Sequence, residues 1–198
     1  KEKRTYKLFT FSRLMGDLKM NKERGQIRFQ GLVKLIISSP YEEFSNSIGN
    51  SILSTKHIRL GSNKLEAKEL AVKKEMIEKN EIIINALSPI TTYSTLFRKD
   101  GKKFTYYFNP QEEEFSNTIS NNLKNKYKAF YNIEPPKKDV IIEALNKSRM
   151  SIINYKGFII KGYMGRFRMK GPRELLQIGV DAGIGSKNSQ GLGCIEII

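Results

Sequence analysis

Apolar residues recur along this chain at two spacings, and the places where one gives way to the other mark its elements. Lys7-Leu8-Phe9-Thr10-Phe11-Ser12 alternates polar and apolar as a half-buried strand does, and residues 25–37 repeat that behaviour at greater length. Beyond Pro40 the apolar positions Tyr41, Phe44, Ile48 and Ile52 stand three or four apart, a stripe that predicts a helix ending near Ser54. Residues 58–74 hold a further strand with a charged, irregular stretch, and residues 81–90 carry the β-branched run Ile82-Ile83-Ile84 ahead of the break at Ser88-Pro89. The first half therefore reads β, β, α, β, β.

The second half opens on a hairpin, with Lys99-Asp100-Gly101-Lys102 turning residues 91–97 back onto Phe104-Thr105-Tyr106-Tyr107-Phe108. Asn109-Pro110-Gln111-Glu112 then starts a helix: the Asn side chain accepts from a free N–H, Pro suits the first turn and Glu112 reaches back. Phe115, Ile119, Leu123, Tyr127 and Phe130 give that helix one apolar face, which ends before Pro135-Pro136. Residues 140–145 and 150–154 are short strands, Tyr155-Lys156-Gly157 is a turn, and residues 158–170 are strand again. A short helix over 172–182 buries Leu175, Leu176 and Ile178 and stops at Gly183, and residues 194–198 form the last strand. Without strict strand–helix alternation the class is α+β rather than a doubly wound parallel sheet. The expected division falls near residue 90, giving units 1–90 and 91–198.

The chain has 198 residues, with 35 Lys plus Arg against 20 Asp plus Glu, a formal charge of +15. So large an excess opposes compaction unless a polyanion is the normal partner, and nucleic acid is the leading one. There is no run of about 18 apolar residues to span a bilayer, and Lys1-Glu2-Lys3-Arg4-Thr5-Tyr6 leads into a strand pattern without the apolar core of a secretory leader. Cys194 is the single cysteine, so no internal disulfide forms and the reducing cytoplasm is the expected compartment. One Cys and one His cannot make a four-ligand zinc site, and neither a metal nor another cofactor is expected.

Two segments carry candidate chemistry. In Tyr163-Met164-Gly165-Arg166-Phe167-Arg168-Met169-Lys170, strand periodicity sends Arg166, Arg168 and Lys170 to one face and Phe167 and Met169 to the other. Lys161 and Arg173 flank this face and no acidic residue interrupts residues 157–173, so phosphates are expected there, the alternative being an ordinary solvated basic strand. The second segment is Gly183-Ile184-Gly185-Ser186-Lys187-Asn188-Ser189-Gln190-Gly191-Leu192-Gly193. It follows a helix and precedes only a short strand, which excludes a dinucleotide fingerprint, and it lacks the Gly-Lys-Ser/Thr of a Walker A loop. What remains is a glycine loop that either cradles a phosphate with its N–H groups, Lys187, Asn188 and Gln190, or folds against the chain.

That loop resembles the glycine-rich loop of the CRISPR-associated endoribonucleases that process precursor CRISPR RNA. The likeness extends to Lys7-Leu8-Phe9-Thr10-Phe11-Ser12 as the early strand, to Leu87-Ser88-Pro89-Ile90 in mid-chain, and to Gly165-Arg166-Phe167 with Gly171-Pro172-Arg173-Glu174-Leu175-Leu176 as the lead-in to the loop. The resemblance implies two tandem ferredoxin-like folds, the first lacking its opening strand and helix. It implies CRISPR repeat RNA as partner and leaves an effector complex and a homodimer open. It further implies cleavage without a metal, the ribose 2′-hydroxyl attacking the adjacent phosphate, with RNA contacts at Arg166, Arg168, Lys170, Arg173, Gly183, Gly185, Lys187, Asn188, Gln190, Gly191 and Gly193. Family members commonly take their general base from a His on the first helix or just after it, a position expected upstream of Lys1, in an opening strand and helix that with their loops take on the order of 25–50 residues. Within the sequence the remaining candidates are Lys3, near the expected active region, and His57, the only histidine, which does not match the family's position.

Overall fold

The computed structural model describes residues 6–55 and 57–198. The first half runs β1 (Thr10–Phe11), the hairpin β2 (Met15–Asn21) and β3 (Gln26–Lys34), β4 (Ile37–Ser38), α1 (Glu42–Ser54), and the small hairpin β5 (Ile58–Leu60) and β6 (Asn63–Leu65). The second runs β7 (Glu81–Ala86), the hairpin β8 (Tyr93–Phe97) and β9 (Lys103–Tyr107), α2 (Glu113–Tyr131) and β10 (Ile141–Ala144). It continues through the hairpin β11 (Arg149–Tyr155) and β12 (Phe158–Met164), β13 (Arg166–Lys170), α3 (Arg173–Ala182) and β14 (Ile195–Ile197).

Setting the two inserted hairpins aside leaves β7-α2-β10-β13-α3-β14, and these strands form one antiparallel sheet in the order β10-β13-β7-β14. This is the βαββαβ topology of a ferredoxin-like unit. Period-two alternation explains its interior. Ile82, Ile84, Ile142, Phe167 and Met169 all point to the helix side and are buried against Phe115, Ile119 and Leu123 of α2 and Leu175, Leu176 and Ile178 of α3. Phe115 stacks on Phe167 with ring centroids 6.2 Å apart. Truncating a residue as enclosed as Phe167 costs about 3–5 kcal/mol, because the cavity cannot collapse between two helices and a sheet.

Among the described residues, the first ferredoxin-like unit contributes the antiparallel pair β1/β4 and helix α1. The α1 stripe turns inward, with Phe44 stacked on Phe9 at 4.9 Å and Tyr41 meeting Phe130 of α2 edge-on at 5.1 Å, yet no α1 residue is fully buried. Leu8 joins the core of the second unit. Among the hydrogen bonds that fasten the halves are Thr10 Oγ1 to Leu192 O at 3.0 Å, Ser38 Oγ to Val180 O at 3.0 Å, Arg13 N to Leu87 O at 3.0 Å and Gln177 Nε2 to Glu75 O at 2.9 Å.

Several expectations change at the level of elements. Residues 81–86, on the first-unit side of the expected division near 90, pair with β13 and β14 and so form one of the two inner strands of the four-stranded sheet. Residues 158–170 are two strands of different sheets, because Gly165 (φ 153°) breaks the run. Residues 25–37 hold β3 and the start of β4, and β3 pairs with β2, which the polarity pattern did not announce. Nearly every β2 and β3 residue is exposed, so no core imposed an alternation on it. Among the described residues, no helix is long and apolar enough to cross a membrane.

Candidate nucleic-acid interface

The face of the four-stranded sheet opposite its helices presents Arg166, Arg168 and Lys170, all exposed, while Phe167 and Met169 are fully buried behind them. The expected two-faced strand is present, but its field is not purely positive. Register sets β13 between β7 and β10, which bring Glu81 opposite Lys170 and Glu143 opposite Arg168. Arg168 Nε lies 3.4 Å from Glu81 Oε1, its Nη1 lies 3.9 Å from Glu143 Oε2, and Lys170 Nζ lies 3.9 Å from Glu81 Oε2. Arg166 forms no ion pair among the described residues, and Arg173 turns its guanidinium to Glu78 O at 3.4 Å. The carboxylates that temper this face come from distant strands, where local sequence offers no sign of them.

The glycine loop, residues 183–193, folds into a plug between the two halves of the chain. Gly183 ends α3 with φ 78°, and Gly185, Lys187, Gly191 and Gly193 also take positive φ, so the segment coils tightly on itself. Asn188 sits at its centre: Nδ2 donates to Ile184 O at 3.0 Å and to Leu192 O at 2.9 Å, while Oδ1 accepts from Lys126 Nζ at 2.6 Å. Lys126, a buried α2 residue, also donates to Gly183 O at 2.6 Å. Burial alone pushes its ammonium down to about 7.

Backbone bonds finish the closure. Ile184 N donates to Gly193 O at 2.9 Å, Ser186 N to Thr91 O at 2.8 Å, and Gly193 N to Pro89 O at 2.9 Å. A Cβ on Gly193 would stand 1.9 Å from Ile184 O, so only glycine allows this approach. The loop is thus closed by its own hydrogen bonds. Gly183, Gly185, Asn188 and Gly193 are buried and serve the loop's own geometry, whereas Lys187, Gln190 and Gly191 reach its surface. Lys187 Nζ lies 5.4 Å from the centre of the Tyr93 ring, which packs near Tyr107 at 5.7 Å.

Beside this plug lies a cavity of about 260 Å³ lined by Arg13, Pro89, Ile153, Tyr155, Ile160, Gln190, Gly191 and Leu192. Four parts of the chain meet there: the segment after β1, the segment after β7, the glycine loop, and the β11/β12 hairpin. Pairing of Ile153 with Ile160 and of Tyr155 with Phe158 puts these residues on one hairpin face, and strand alternation adds Arg149 to that face. Arg149 is close enough that its charge, after partial burial, lowers the pKa of the Arg13 guanidinium. Among the described residues no carboxylate forms an ion pair with either arginine. A guanidinium without a carboxylate partner in the wall of this recess, with a second one near enough to repel it, favours an anion. Reading the sequence named Gln190 and Gly191 of this site but not Arg13 or the hairpin residues, since residues so far apart meet only through the fold.

Of the two catalytic candidates, Lys3 lies outside the described residues. His57 is exposed and lines a different recess with Ile52, Leu53, Thr55 and residues 66–70, sharing no lining residue with the cavity beside the loop. The Cys194 thiol is buried behind the loop and pushed up to about 12 by burial and by the charge of Glu196, which leaves it unreactive.

Residues 65–197 match the family model described as CRISPR associated protein Cas6, C-terminal. The chain belongs to the Cas6 family. It is 31% identical over 192 residues to CRISPR-associated endoribonuclease Cas6 1 of Methanocaldococcus jannaschii, covering 96% of this chain and 73% of that protein. It is 30% identical over 196 residues to CRISPR-associated endoribonuclease Cas6 of Pyrococcus furiosus, covering 96% of this chain and 70% of that one. A solved structure described as a characterization of a Cas6-related gene from Pyrococcus furiosus superposes with a TM-score of 0.85 at 26% identity, covering 96% of this chain and 78% of its own. In this Cas6 chain the glycine loop and Arg149 fall inside the matched segment, whereas Arg13 is supplied from outside it.

Proposed function

We propose that this Cas6-family chain binds CRISPR repeat RNA and belongs to a metal-independent endoribonuclease that cuts it into guide RNAs. The observation that carries the reading is Arg13, without a carboxylate partner, in the cavity beside the glycine loop, with the charge of Arg149 nearby and Lys187 on the loop's surface. The net charge of +15 supports it, as do the relatives named as CRISPR-associated endoribonucleases. In the reaction we infer, the ribose 2′-hydroxyl attacks the neighbouring phosphorus while a general base takes its proton. The P–O5′ bond breaks and the 5′-oxygen gains a proton, leaving a 2′,3′-cyclic phosphate and a 5′-hydroxyl. Guanidiniums at that phosphate would offset the charge gathered in the transition state.

End-labelled repeat RNA, incubated with the protein in excess EDTA, tests the reading. The expected products carry a cyclic phosphate and a 5′-hydroxyl and form at the same rate with and without EDTA. Strict dependence on a divalent ion, or 3′-hydroxyl products, would refute the mechanism. A second reading, a chain that holds repeat RNA without cutting it, is favoured by the position of His57, which lines a recess separate from the arginines. Tight binding with no product in the same assay would establish it, since losing a general base costs typically about 10²–10⁴ in rate.

A further inference from the structure

We propose that the cavity beside the glycine loop is a pocket for one unstacked nucleotide, with the base between the β11/β12 hairpin and Gly191-Leu192 and its phosphate on Arg13. The inference rests on the RNA-binding function proposed above and names what this one site takes. Its walls differ in chemistry in the way a nucleotide does. Pro89, Ile153, Ile160 and Leu192 make an apolar interior, Tyr155 brings an aromatic ring, Gln190 brings an amide, and Arg13 closes one side.

A volume of about 260 Å³ has room for a single base. Arg13 favours an anion at the mouth, because among the described residues it has no carboxylate partner. Arg168, by contrast, faces Glu81 and Glu143, and Arg166 and Arg173, which also lack a carboxylate, do not line this cavity. An apolar small molecule would leave Arg13 unsatisfied, and a paired RNA stem would leave the apolar interior unfilled. An extruded nucleotide satisfies both, since proteins that read single-stranded RNA stack its unpaired bases on aromatic side chains and hydrogen-bond their edges.

Gln190 has the role of reading the base. Its backbone N–H is already held by Lys187 O at 2.9 Å, so the loop fixes where the side chain starts, while the residue itself stays exposed. A glutamine amide offers one acceptor and two donors, enough to pair with one edge of a base. The loop behind it is anchored through Asn188 and Lys126, so the wall carrying Gln190 and Gly191 is rigid before RNA arrives. Gly191 lies against the Phe11 ring, where a Cβ would stand 2.4 Å from a ring carbon, so that side of the pocket cannot widen without moving β1.

The test is an abasic scan. The repeat RNA of the array that this protein processes is synthesised with one base removed at each position in turn, and each RNA is titrated against the wild-type chain. The expected result is one position at which removing the base weakens binding about tenfold, in line with the loss of one base–aromatic stack. The variant Ile160→Trp, which fills the pocket, should weaken binding of intact RNA to a similar degree and abolish the effect of that abasic position. Should Ile160→Trp disturb the hairpin, Gln190→Ala alters only an exposed side chain and must shrink the same positional effect. RNA bound tightly with no position sensitive to base removal, or a sensitive position unmoved by both variants, overturns the pocket while leaving the RNA-binding function intact. Repeat RNA neither bound nor cut overturns both.

Discussion

Lys126 shows how much one buried side chain organises in this protein. Its ammonium holds Gly183 O and Asn188 Oδ1, and through Asn188 it fixes both ends of the glycine loop. Lys126→Met keeps most of the volume but leaves those two oxygens buried without a donor, at about 1–3 kcal/mol each. We expect a net loss of about 2–4 kcal/mol in urea unfolding. The pH dependence has a definite sign. Burial sets the folded-state pKa at about 7, against about 10.4 for a free lysine, so between these values the unfolded chain binds more protons than the folded one. Wild-type stability should therefore rise from pH 7 toward pH 10 relative to Lys126→Met, and the deficit of the variant should widen. A deficit constant over that range would mean that the oxygens around Nζ hold it charged despite burial.

Gly193 gives a second comparison at this scale. Gly101 and Gly193 both have positive φ, 78° and 71°, but a Cβ at Gly101 meets nothing within 4 Å while one at Gly193 collides with Ile184 O. Gly101→Ala should cost only the left-handed backbone penalty of about 1–2 kcal/mol. Gly193→Ala should cost clearly more and should open the loop, measurable as faster amide exchange at Ile184.

At the scale of elements, what the pattern revealed depended on whether the physics was local. The α2 stripe was legible because Phe115, Ile119, Leu123 and Tyr127 all had to face one core, and each is buried. The turns at Gly101 and Gly157 were legible because positive φ selects glycine there. Pairing partners were not legible. Arg168 and Lys170 looked uncompensated until register brought Glu81 and Glu143 across from β7 and β10. Asn188 looked like a ligand contact, though its amide is spent inside the loop. The approach of Arg149 to Arg13 left no trace, since it joins the segment after β1 to β11. These placements make a prediction about salt. Arg13→Gln should lower the slope of log K against log salt by about 0.7, one phosphate contact with a single strand. Arg168→Gln should change it less, because its carboxylate neighbours already hold its counter-charge. Equal changes at both positions would return the sheet face to the RNA path.

For the molecule as a whole, the charge of +15 sets a cost that the fold carries alone. Few acidic groups offset it. Most ion pairs present, such as Lys68–Glu66 and Lys74–Glu42, are solvent-exposed and worth little. The first unit is also thinly cored, with no fully buried residue on α1, and it leans on the second through Leu8, Thr10 and Ser38. A polyanion laid across the junction near Arg13, Arg149 and Lys187 would relieve the repulsion and bridge the two halves at once. Binding only to the folded chain stabilises it by RT ln(1 + [L]/Kd), about 2.7 kcal/mol at a hundredfold excess over Kd. For a chain of this size that corresponds to a rise in Tm of about 5–10 °C. The rise with repeat RNA should fall steeply between 50 and 500 mM salt, as counterion release demands. A random RNA of equal length should lose its smaller rise at lower salt, since it supplies phosphates without the base that the pocket holds. Identical melting curves for the two RNAs at every salt would mean that the chain recognises charge alone.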